Sequence, residues 1–273
     1  MLPLLPEDWA IRVEMDRSTG SSRYEGLMTL SGLDPRLDQF RQRPLESPLE
    51  RLRYTVTEAN LLRHLDPAPQ QVLDVAGGTG VEAVRLAALG HEVTVLDPAG
   101  AMLNLAIETA ESVDVGERLH VVQAGAADAP EVFGRGDFDL VLCHNLLHYV
   151  DDPAEVLMAV TAPLREGGLL SLLGPNPDFD PLHAVVRDLD PDEALRTVLS
   201  DRPAPVGELV TALAELGVTE VVRYGVRCVS DLIDLGHAED PDFLADLTRL
   251  EITLADRMPQ LLTARYFHLV ARV

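Results

Sequence analysis

Apolar residues change their spacing along the chain, and these changes predict where strands and helices lie. Between residues 71 and 173, short apolar runs typical of buried strands alternate with segments in which apolar residues recur at helical spacing. Strands are predicted at 71–75, 92–96, 120–123, 138–143 and 169–173, and helices at 81–89, 101–110 and 154–164. Buried strands separated by crossover helices predict a parallel sheet with helices on both faces.

The segments on either side of this alternation have other patterns. Residues 1–30 show no sustained period, and helical spacing over 34–43 and 48–65 predicts two helices before the first strand. Beyond residue 173, helices are predicted at 181–189, 206–216 and, in two pieces broken around Pro241, 230–256, and strands at 218–229 and 264–273. Two late strands with helices between them predict an antiparallel addition to the sheet.

Together these elements predict an α/β fold, with a Rossmann-like, seven-stranded, mostly parallel sheet and helices on both of its faces. The fold would include N-terminal helices and a helical lid insertion before the last strand. A chain of 273 residues suits one large domain with an appended segment. We expect an N-terminal arm and helix over 1–48 and a ligand-binding domain over 49–273, in which 174–260 contributes the lid or a substrate-binding insertion. Ligands of such sheets bind outside the carboxyl ends of the strands.

The charge of the chain narrows the choice of partners. Its 22 basic residues are all arginine, and its net charge is -23. Residues 1–65 are nearly neutral, with nine arginines and ten acidic residues, whereas the remainder carries 13 arginines against 35 acidic residues. This acidic balance disfavours broad attraction to nucleic acid or to an anionic membrane. A small-molecule substrate is therefore expected, and the charge disfavours tRNA.

No segment has the features of a membrane anchor or a secretory signal. The apolar runs fall short of the roughly 20 residues that cross a bilayer, and the first ten residues lack a basic start and a sustained apolar core. The two cysteines, Cys143 and Cys228, are expected to be buried as small hydrophobic residues rather than to form a disulfide or a metal site. We expect a cytoplasmic protein without a metal, as a monomer or a homodimer.

A glycine-rich turn with the sequence VLDVAGGTG, residues 72–80, joins the first predicted strand to the helix after it. Such a turn exposes backbone N–H groups at the positive end of a helix, where a polar or anionic ligand group can approach. Asp97 closes the second strand, 17 residues after Gly80, and a carboxylate there can bind two ribose hydroxyls or cap the next helix. These features predict a site for a nicotinamide dinucleotide or for S-adenosylmethionine. A dinucleotide site has a glycine three residues after Gly80, which this chain lacks.

Asp74, Gly78 and Gly80 match the D-x-G-x-G-x-G turn of the class I S-adenosylmethionine-dependent methyltransferases, which the chain resembles, while Ala76 replaces the first glycine. An alanine is expected to be tolerated there provided that its φ stays negative. Other segments resemble the family in the family's own order: DPAGAMLNLA (97–106), AGAADAP (124–130), FDLVLCHNLLHYVDDP (138–153) and LREGGLLSLL (164–173). The resemblance covers residues 50–175 and implies methyl transfer with S-adenosylmethionine as the cofactor.

The resemblance also implies which residues bind the cofactor. Asp97 is expected at the ribose, Met102 near the adenine, and Asp128 at the exocyclic amine of the adenine. The segment LERLRYTVTEANLL resembles a helix in which an arginine holds the methionine carboxylate, and Arg53 is the expected residue, with Arg51 second. The full set is Arg53, Asp74, Ala76, Gly78, Gly80, Asp97, Pro98, Met102, Ala126, Asp128 and His144.

Two histidines after the fourth strand are the candidate catalytic residues. His144 follows the strand, and His148 lies four residues further on, where helical spacing would place it on the same face. A hydroxyl or amine acceptor would use one of them as a base, whereas a carboxylate acceptor needs none. Arg265, Tyr266 and His268 on the last strand are the candidate substrate-binding residues, and strand alternation puts Tyr266 and His268 on one face.

A narrower resemblance concerns the methyl acceptor. The segments GVRCVSDLI and ARYFHLVARV resemble the tail of the tRNA 5-carboxymethoxyuridine methyltransferase group, which methylates a carboxylate on a modified wobble uridine. The acidic charge beyond residue 65 disfavours the binding of tRNA, which is a polyanion. The sequence favours methyl transfer to an oxygen or nitrogen of a small metabolite. The alternatives are methylation of the tRNA wobble-uridine carboxylate and, more distantly, a non-catalytic nucleoside-binding protein.

Overall fold

A computed structural model describes residues 47–200, 206–218, 220–233, 236 and 240–273, together with two short strands, Glu14–Met15 and Ser22–Arg23. The two short strands pair with each other in antiparallel fashion. The helix predicted over 34–43 and most of the predicted N-terminal arm lie outside the described residues. No helix within the described ranges is both long enough and apolar enough to span a bilayer.

Seven further strands form one sheet with the spatial order β3-β2-β1-β4-β5-β7-β6. They are β1 (Gln71–Val75), β2 (Glu92–Leu96), β3 (Leu119–Val122), β4 (Phe138–His144), β5 (Leu164–Pro175), β6 (Glu220–Val226) and β7 (Tyr266–Arg272). Strands β1 to β5 pair in parallel, and β7 pairs antiparallel with both β5 and β6. The predicted antiparallel addition is therefore made by β7, while β6 runs in the direction of the parallel strands.

Ten α-helices lie within the described residues. They are α1 (Pro48–Leu62), α2 (Val81–Ala88), α3 (Gly100–Ser112), α4 (Ala129–Phe133), α5 (Pro153–Thr161), α6 (Phe179–Val186), α7 (Pro191–Leu199), α8 (Val206–Glu215), α9 (Pro241–Leu254) and α10 (Gln260–Thr263). The predicted α/β, Rossmann-like fold is confirmed. Helix α7 was not predicted, although Asp190 caps it by accepting a hydrogen bond from the N–H of Glu193, and Pro191 is its first residue.

Two apolar clusters cover the two faces of the sheet. Helices α1, α2, α3 and α9 cover one face, where Val56 of α1 and Val84 of α2 are fully buried. Helices α5 and α8 cover the other face, where Leu157 and Leu213 are fully buried. Each such side chain contributes roughly 1.5–3 kcal/mol by leaving water. Because α1 and α9 pack against each other, the segment before β1 is fixed to the segment between β6 and β7.

The chain after β5 is anchored at the carboxyl edge of the sheet. The amide of Asn176, which is buried, donates hydrogen bonds to the carbonyl oxygens of Leu262 (2.8 Å) and Ala264 (2.9 Å). The backbone N–H of Asn176 donates to the carbonyl oxygen of Arg265 at 3.0 Å. These contacts hold the start of α6 against the residues that lead into β7, so both segments border the same edge.

Candidate active site

The turn between β1 and α2 packs tightly on two sides and is open on a third. A Cβ atom at Gly77 would lie 2.6 Å from Cγ of Asp74, and one at Gly80 would lie 2.8 Å from Cβ of Ala106 on α3. Gly78 has a φ of +55°, and a Cβ atom there would meet nothing within 4 Å. The turn therefore fits closely against β1 and α3, and its backbone at Gly78 borders open space that a ligand group can enter.

Ala76 also has a positive φ, of 56°. The expectation that alanine is tolerated through a negative φ is therefore wrong. The left-handed region brings the Cβ of an L-residue close to the next carbonyl oxygen and costs about 1–2 kcal/mol. The N–H of Ala76 donates to the carbonyl oxygen of Leu96 at 2.7 Å, and this bond to β2 holds the strained residue in place.

Replacing Ala76 by glycine is expected to raise the free energy of unfolding by about 1 kcal/mol, because glycine adopts this φ without strain. Urea denaturation measures the change. The matched control is Ala83→Gly inside α2, where the same chemical change should lower stability by about 1 kcal/mol. A loss of stability at both positions would show that Ala76 is not strained.

The carboxylate of Asp97 lies at the carboxyl end of β2 beside this turn. It accepts hydrogen bonds from the N–H of Gly78 at 3.0 Å and from the N–H of Ala99 at 2.8 Å. The residue is buried. The N-cap residue of α3 is Ala99. Asp97 therefore does not have the alternative role, that of N-cap residue of this helix. The carboxylate joins the glycine turn to the start of α3 at the edge where ligands of parallel sheets bind.

Asp74 is buried on β1, and within the part of the chain that the structure describes its Oδ2 atom has no hydrogen-bond partner. Burial raises the pKa of the Asp74 carboxyl well above its ordinary value of 3.8, and the charges of Glu82 and Asp97 raise it further. A buried polar atom without a partner is costly. The observation fits a site whose ligand supplies a positive or hydrogen-bonding group next to Asp74.

Arg53 on α1 reaches the same region. Its Nε donates to Glu50 at 2.9 Å, and its Nη1 lies 3.4 Å from the carboxylate of Glu82 in the first turn of α2. His144 at the end of β4 faces Glu82 through Nδ1 at 3.5 Å. Burial would raise the pKa of Glu82, but the hydrogen bond from His144 and the charge of Arg53 outweigh it and lower this pKa to about 2. Glu82 was not among the predicted site residues, although its place two residues after the glycine turn could have pointed to it.

The histidines do not lie as helical spacing implied. His144 is the last residue of β4 and is buried, whereas His148 lies on the 3-10 turn Leu147–Tyr149 and is exposed. The prediction that they share one helical face is wrong, because the chain leaves the strand through a turn and not through a helix. The ring of His148 packs against the ring of Tyr149 at a tilt of 41°, with 3.9 Å between ring centroids, and partial burial lowers the pKa of His148.

His268 on β7 is fully buried. Its Nε2 lies 2.9 Å from Oγ of Ser171 on β5, and the same oxygen lies 2.8 Å from Nε2 of His144. A substrate cannot reach His268 in this structure, contrary to its predicted role as a substrate-binding residue. It instead reaches the site indirectly, through Ser171 and His144.

Tyr266, at the start of β7, is surrounded by arginine side chains. The guanidinium carbons of Arg227, Arg53 and Arg265 lie 5.7, 5.9 and 6.0 Å from the centroid of its ring. Arg265 also donates to the carboxylate of Asp180 on α6 at 2.9 Å. Two of the three predicted substrate-binding residues, Arg265 and Tyr266, thus lie together where α6 meets β7.

Arg227 was not predicted as a site residue, although it lies in the segment GVRCVSDLI. It follows β6 with a φ of 60°, and its guanidinium pairs with both carboxylate oxygens of Asp231. Its Nη1 donates to Glu50 at 2.9 Å. Glu50 therefore bridges Arg227 and Arg53, which ties the segment after β6 to α1 beside the site.

The residues predicted for the adenine follow β2 and β3. The carbonyl oxygen of Pro98 accepts a hydrogen bond from Gln123 at 3.0 Å, which links the ends of the two strands. Met102 on α3 is 43% exposed, so its side chain is available to a ligand. Asp128 ends the 3-10 turn Ala126–Asp128, and its Oδ2 accepts from the N–H of Gly125 at 2.9 Å.

Known proteins share both the sequence pattern and the fold. The sequence profile of the methyltransferase domain matches residues 72–168, which include the glycine turn, Asp97 and His144. This match, together with a relative that is 30% identical over 86% of this chain, defines the chain as a methyltransferase. The chain belongs to the S-adenosylmethionine-dependent methyltransferase family, and its cofactor is S-adenosylmethionine.

Two relatives differ in how much of the chain they match. The tRNA 5-carboxymethoxyuridine methyltransferase of Escherichia coli (strain K12) is 30% identical over 241 residues, which cover 86% of this chain and 88% of that protein. The ubiquinone biosynthesis O-methyltransferase of Xanthomonas axonopodis pv. citri (strain 306) is 36% identical over 110 residues, which cover 40% of this chain and 44% of that protein. The first likeness therefore extends beyond the cofactor-binding part.

Solved structures share the fold at low identity. A SAM dependent methyltransferase from Archaeoglobus fulgidus aligns with a TM-score of 0.54 at 15% identity, over 87% of this chain and 99% of that chain. An S-adenosylmethionine dependent methyltransferase from Mesorhizobium loti aligns with a TM-score of 0.52 at 18% identity, over 80% of this chain and 98% of that chain. At these identities the likeness concerns the fold alone.

Proposed function

We propose that the chain transfers the methyl group of S-adenosylmethionine to an oxygen of a small acidic metabolite, and that the acceptor oxygen belongs to a carboxylate. The state of His144, the buried candidate base, carries this proposal. Both of its ring nitrogens already have partners, Glu82 and Ser171. A carboxylate is anionic at neutral pH and needs no base, whereas a hydroxyl or amine acceptor would need one.

The groups at the carboxyl edge of the sheet suit the cofactor. In this proposal Asp97 accepts hydrogen bonds from the ribose hydroxyls, Asp74 receives the ammonium group, and Arg53 holds the methionine carboxylate. The adenine is held by Pro98, Met102, Ala126 and Asp128. S-adenosylmethionine supplies, when bound, a methyl group on a positively charged sulfur. The task of the chain is then to orient the acceptor, and orientation alone accelerates such reactions greatly.

The surroundings of Tyr266 suit an acidic acceptor. Arg265 and its partner Asp180 are both substantially exposed, and an exposed ion pair contributes only about 0–1 kcal/mol. A carboxylate of the acceptor could therefore replace Asp180 at the guanidinium with little loss. The acidic charge of the chain beyond residue 65 favours a small acceptor over a polyanion.

Methylation of the wobble-uridine carboxylate in tRNA is the second candidate. The likeness to the Escherichia coli tRNA 5-carboxymethoxyuridine methyltransferase over most of both chains favours it. Both candidate functions transfer the methyl group to a carboxylate. They differ in the size of the substrate that carries this carboxylate. An RNA substrate would make activity strongly salt-dependent, because binding would release counterions from the phosphates.

Methyl-labelled S-adenosylmethionine distinguishes these candidates. The full chain is incubated with a protein-free extract of small metabolites or with total tRNA, and the label in each product is tested for release by mild base, which cleaves methyl esters. We expect base-labile label in the small-metabolite fraction. Label in tRNA alone would overturn the small-metabolite proposal in favour of the second candidate. Base-stable label would overturn the carboxylate, and tight cofactor binding without transfer to either fraction would indicate a non-catalytic protein.

A further inference from the structure

We propose that Ser171 and His268 are positioning residues that fix the ring of His144 and, through it, the carboxylate of Glu82 at the cofactor site. The proposal rests on the proposed function, in which Arg53 and its neighbours hold the methionine end of the cofactor. It assigns a role to two buried polar residues that no ligand can contact directly.

The four groups form an unbroken chain across three neighbouring strands. Glu82 in α2 faces Nδ1 of His144 at 3.5 Å, Nε2 of His144 lies 2.8 Å from Oγ of Ser171, and that oxygen lies 2.9 Å from Nε2 of His268. His144 ends β4, Ser171 lies in β5 and His268 in β7, and these strands are adjacent in the sheet. Ser171 and His268 are both fully buried, so water does not compete for these contacts.

The partners determine which atom donates at each step. An ionised carboxylate only accepts, so the Nδ1 atom of His144 must carry the proton that faces Glu82. In the neutral ring, Nε2 of His144 then accepts from the hydroxyl of Ser171, whose oxygen can accept from the Nε2–H of His268. Burial lowers the pKa of His268 well below its ordinary value, and the neighbouring His144, His64 and Arg63 lower it further. His268 therefore stays neutral, as this arrangement requires.

The hydrogen-bonded network from Glu82 to His268 borders the proposed site as well as the core. Its first member, Glu82, lies two residues after the glycine turn, and its carboxylate is 3.4 Å from Nη1 of Arg53. Glu82 and His144 both line a cavity between α1 and α2. Apolar residues could fill the space of Ser171 and His268 without introducing polar atoms that need partners. Among the residues that the structure describes, Nδ1 of His268 has no hydrogen-bond partner. These buried polar groups therefore cost folding free energy. The network that they form ends at Glu82, beside the proposed site of the cofactor carboxylate.

Ser171→Ala tests this role in the full-length protein. Without the hydroxyl, the ring of His144 loses the partner that holds its rotation, so its Nδ1–H no longer stays directed at Glu82. The Kd for S-adenosylmethionine should then rise roughly tenfold, the effect of losing about one such contact. Nitrogen NMR of the histidine rings should change from a single Nδ1–H tautomer of His144 to a mixture. Ser171→Thr, which keeps the hydroxyl, should restore both the Kd and the tautomer.

Tyr224→Phe is the matched control. It removes another hydroxyl that bonds a histidine ring, 2.7 Å from Nε2 of His64. It keeps the aromatic ring of Tyr224, whose centroid lies 6.1 Å from that of His268, so only a hydroxyl outside the network is lost. The Kd should not change in this variant. If Ser171→Ala lowers the melting temperature yet leaves the Kd and the tautomer unchanged, the positioning role is wrong while the proposed function stands. If the unsubstituted protein fails to bind S-adenosylmethionine, the proposed function itself fails.

Discussion

Replacing Asp97 by alanine is expected to weaken S-adenosylmethionine binding about 100-fold, because two hydrogen bonds from ribose hydroxyls to a charged group are lost, at roughly 1.5 kcal/mol or more each. The carboxylate also holds the N–H of Gly78 at 3.0 Å and the N–H of Ala99 at 2.8 Å, so its removal loosens the turn that borders the cofactor. Calorimetric titration with the cofactor and with its demethylated product measures the loss.

The matched control is Asp137→Ala. Asp137 is an exposed aspartate just before β4, at the amino edge of the sheet, and its removal changes the net charge by the same amount. Its affinity for the cofactor should equal that of the unsubstituted protein. If Asp97→Ala retains full affinity, or if the two variants lose affinity equally, Asp97 does not bind the ribose.

Asp74→Asn is expected to stabilise the cofactor-free protein at neutral pH and to weaken cofactor binding. The pKa of Asp74 is raised in the folded chain above its ordinary value of 3.8, so the unfolded chain ionises at a lower pH than the folded one. Stability is therefore lost as the pH rises from about 4 towards the raised pKa. Asparagine cannot ionise in either state and avoids this loss, which amounts to 1.36 kcal/mol for each pKa unit.

Thermal unfolding at pH 4.5 and pH 7.5 measures this effect. The melting temperature of Asp74→Asn should exceed that of the unsubstituted protein by a few degrees at the higher pH and by much less at the lower pH. Cofactor affinity should fall roughly tenfold, because the ammonium group loses a carboxylate partner. Asp139→Asn serves as the control. Its carboxylate already pairs with Arg165 at 2.8 Å, so this change should not stabilise the protein at either pH. An equal gain from both variants would contradict the burial argument.

The parallel half of the fold was predictable because its pattern is local. Each of the strands β1 to β5 is an apolar run, and a helix fills most of the intervals between them, so alternation alone indicated the layers. The later half was less predictable. Helix α7 lies in a stretch rich in Pro and Asp for which no helix was predicted, yet Asp190 is its cap and Pro191 its first residue. The same residue types favour a turn or a helix start, and the packing of α7 against α6 decides between them.

The candidate site divides in the same way. Gly78, Gly80 and Asp97 could be proposed as site residues from the sequence, because they lie within one strand–turn–helix–strand unit and have characteristic spacing. Ser171 and Arg227 could not, because each meets the site through a residue far away in the chain: Ser171 through His144, and Arg227 through Glu50. A serine in an apolar strand and an arginine after a strand have no local pattern that predicts such partners.

The sequence by itself determined the class of fold and allowed the turn and the carboxylate beside it to be proposed as the cofactor site, because periodicity and short spacing are properties of neighbouring residues. Only the tertiary structure decided which distant side chains meet. It revealed the positive φ of Ala76, buried His268 where a substrate contact was expected, and joined it through Ser171 to His144. Those outcomes depend on which strands become neighbours and on how closely they pack. The order of the strands follows from the burial of both faces of the whole sheet, which no local pattern specifies.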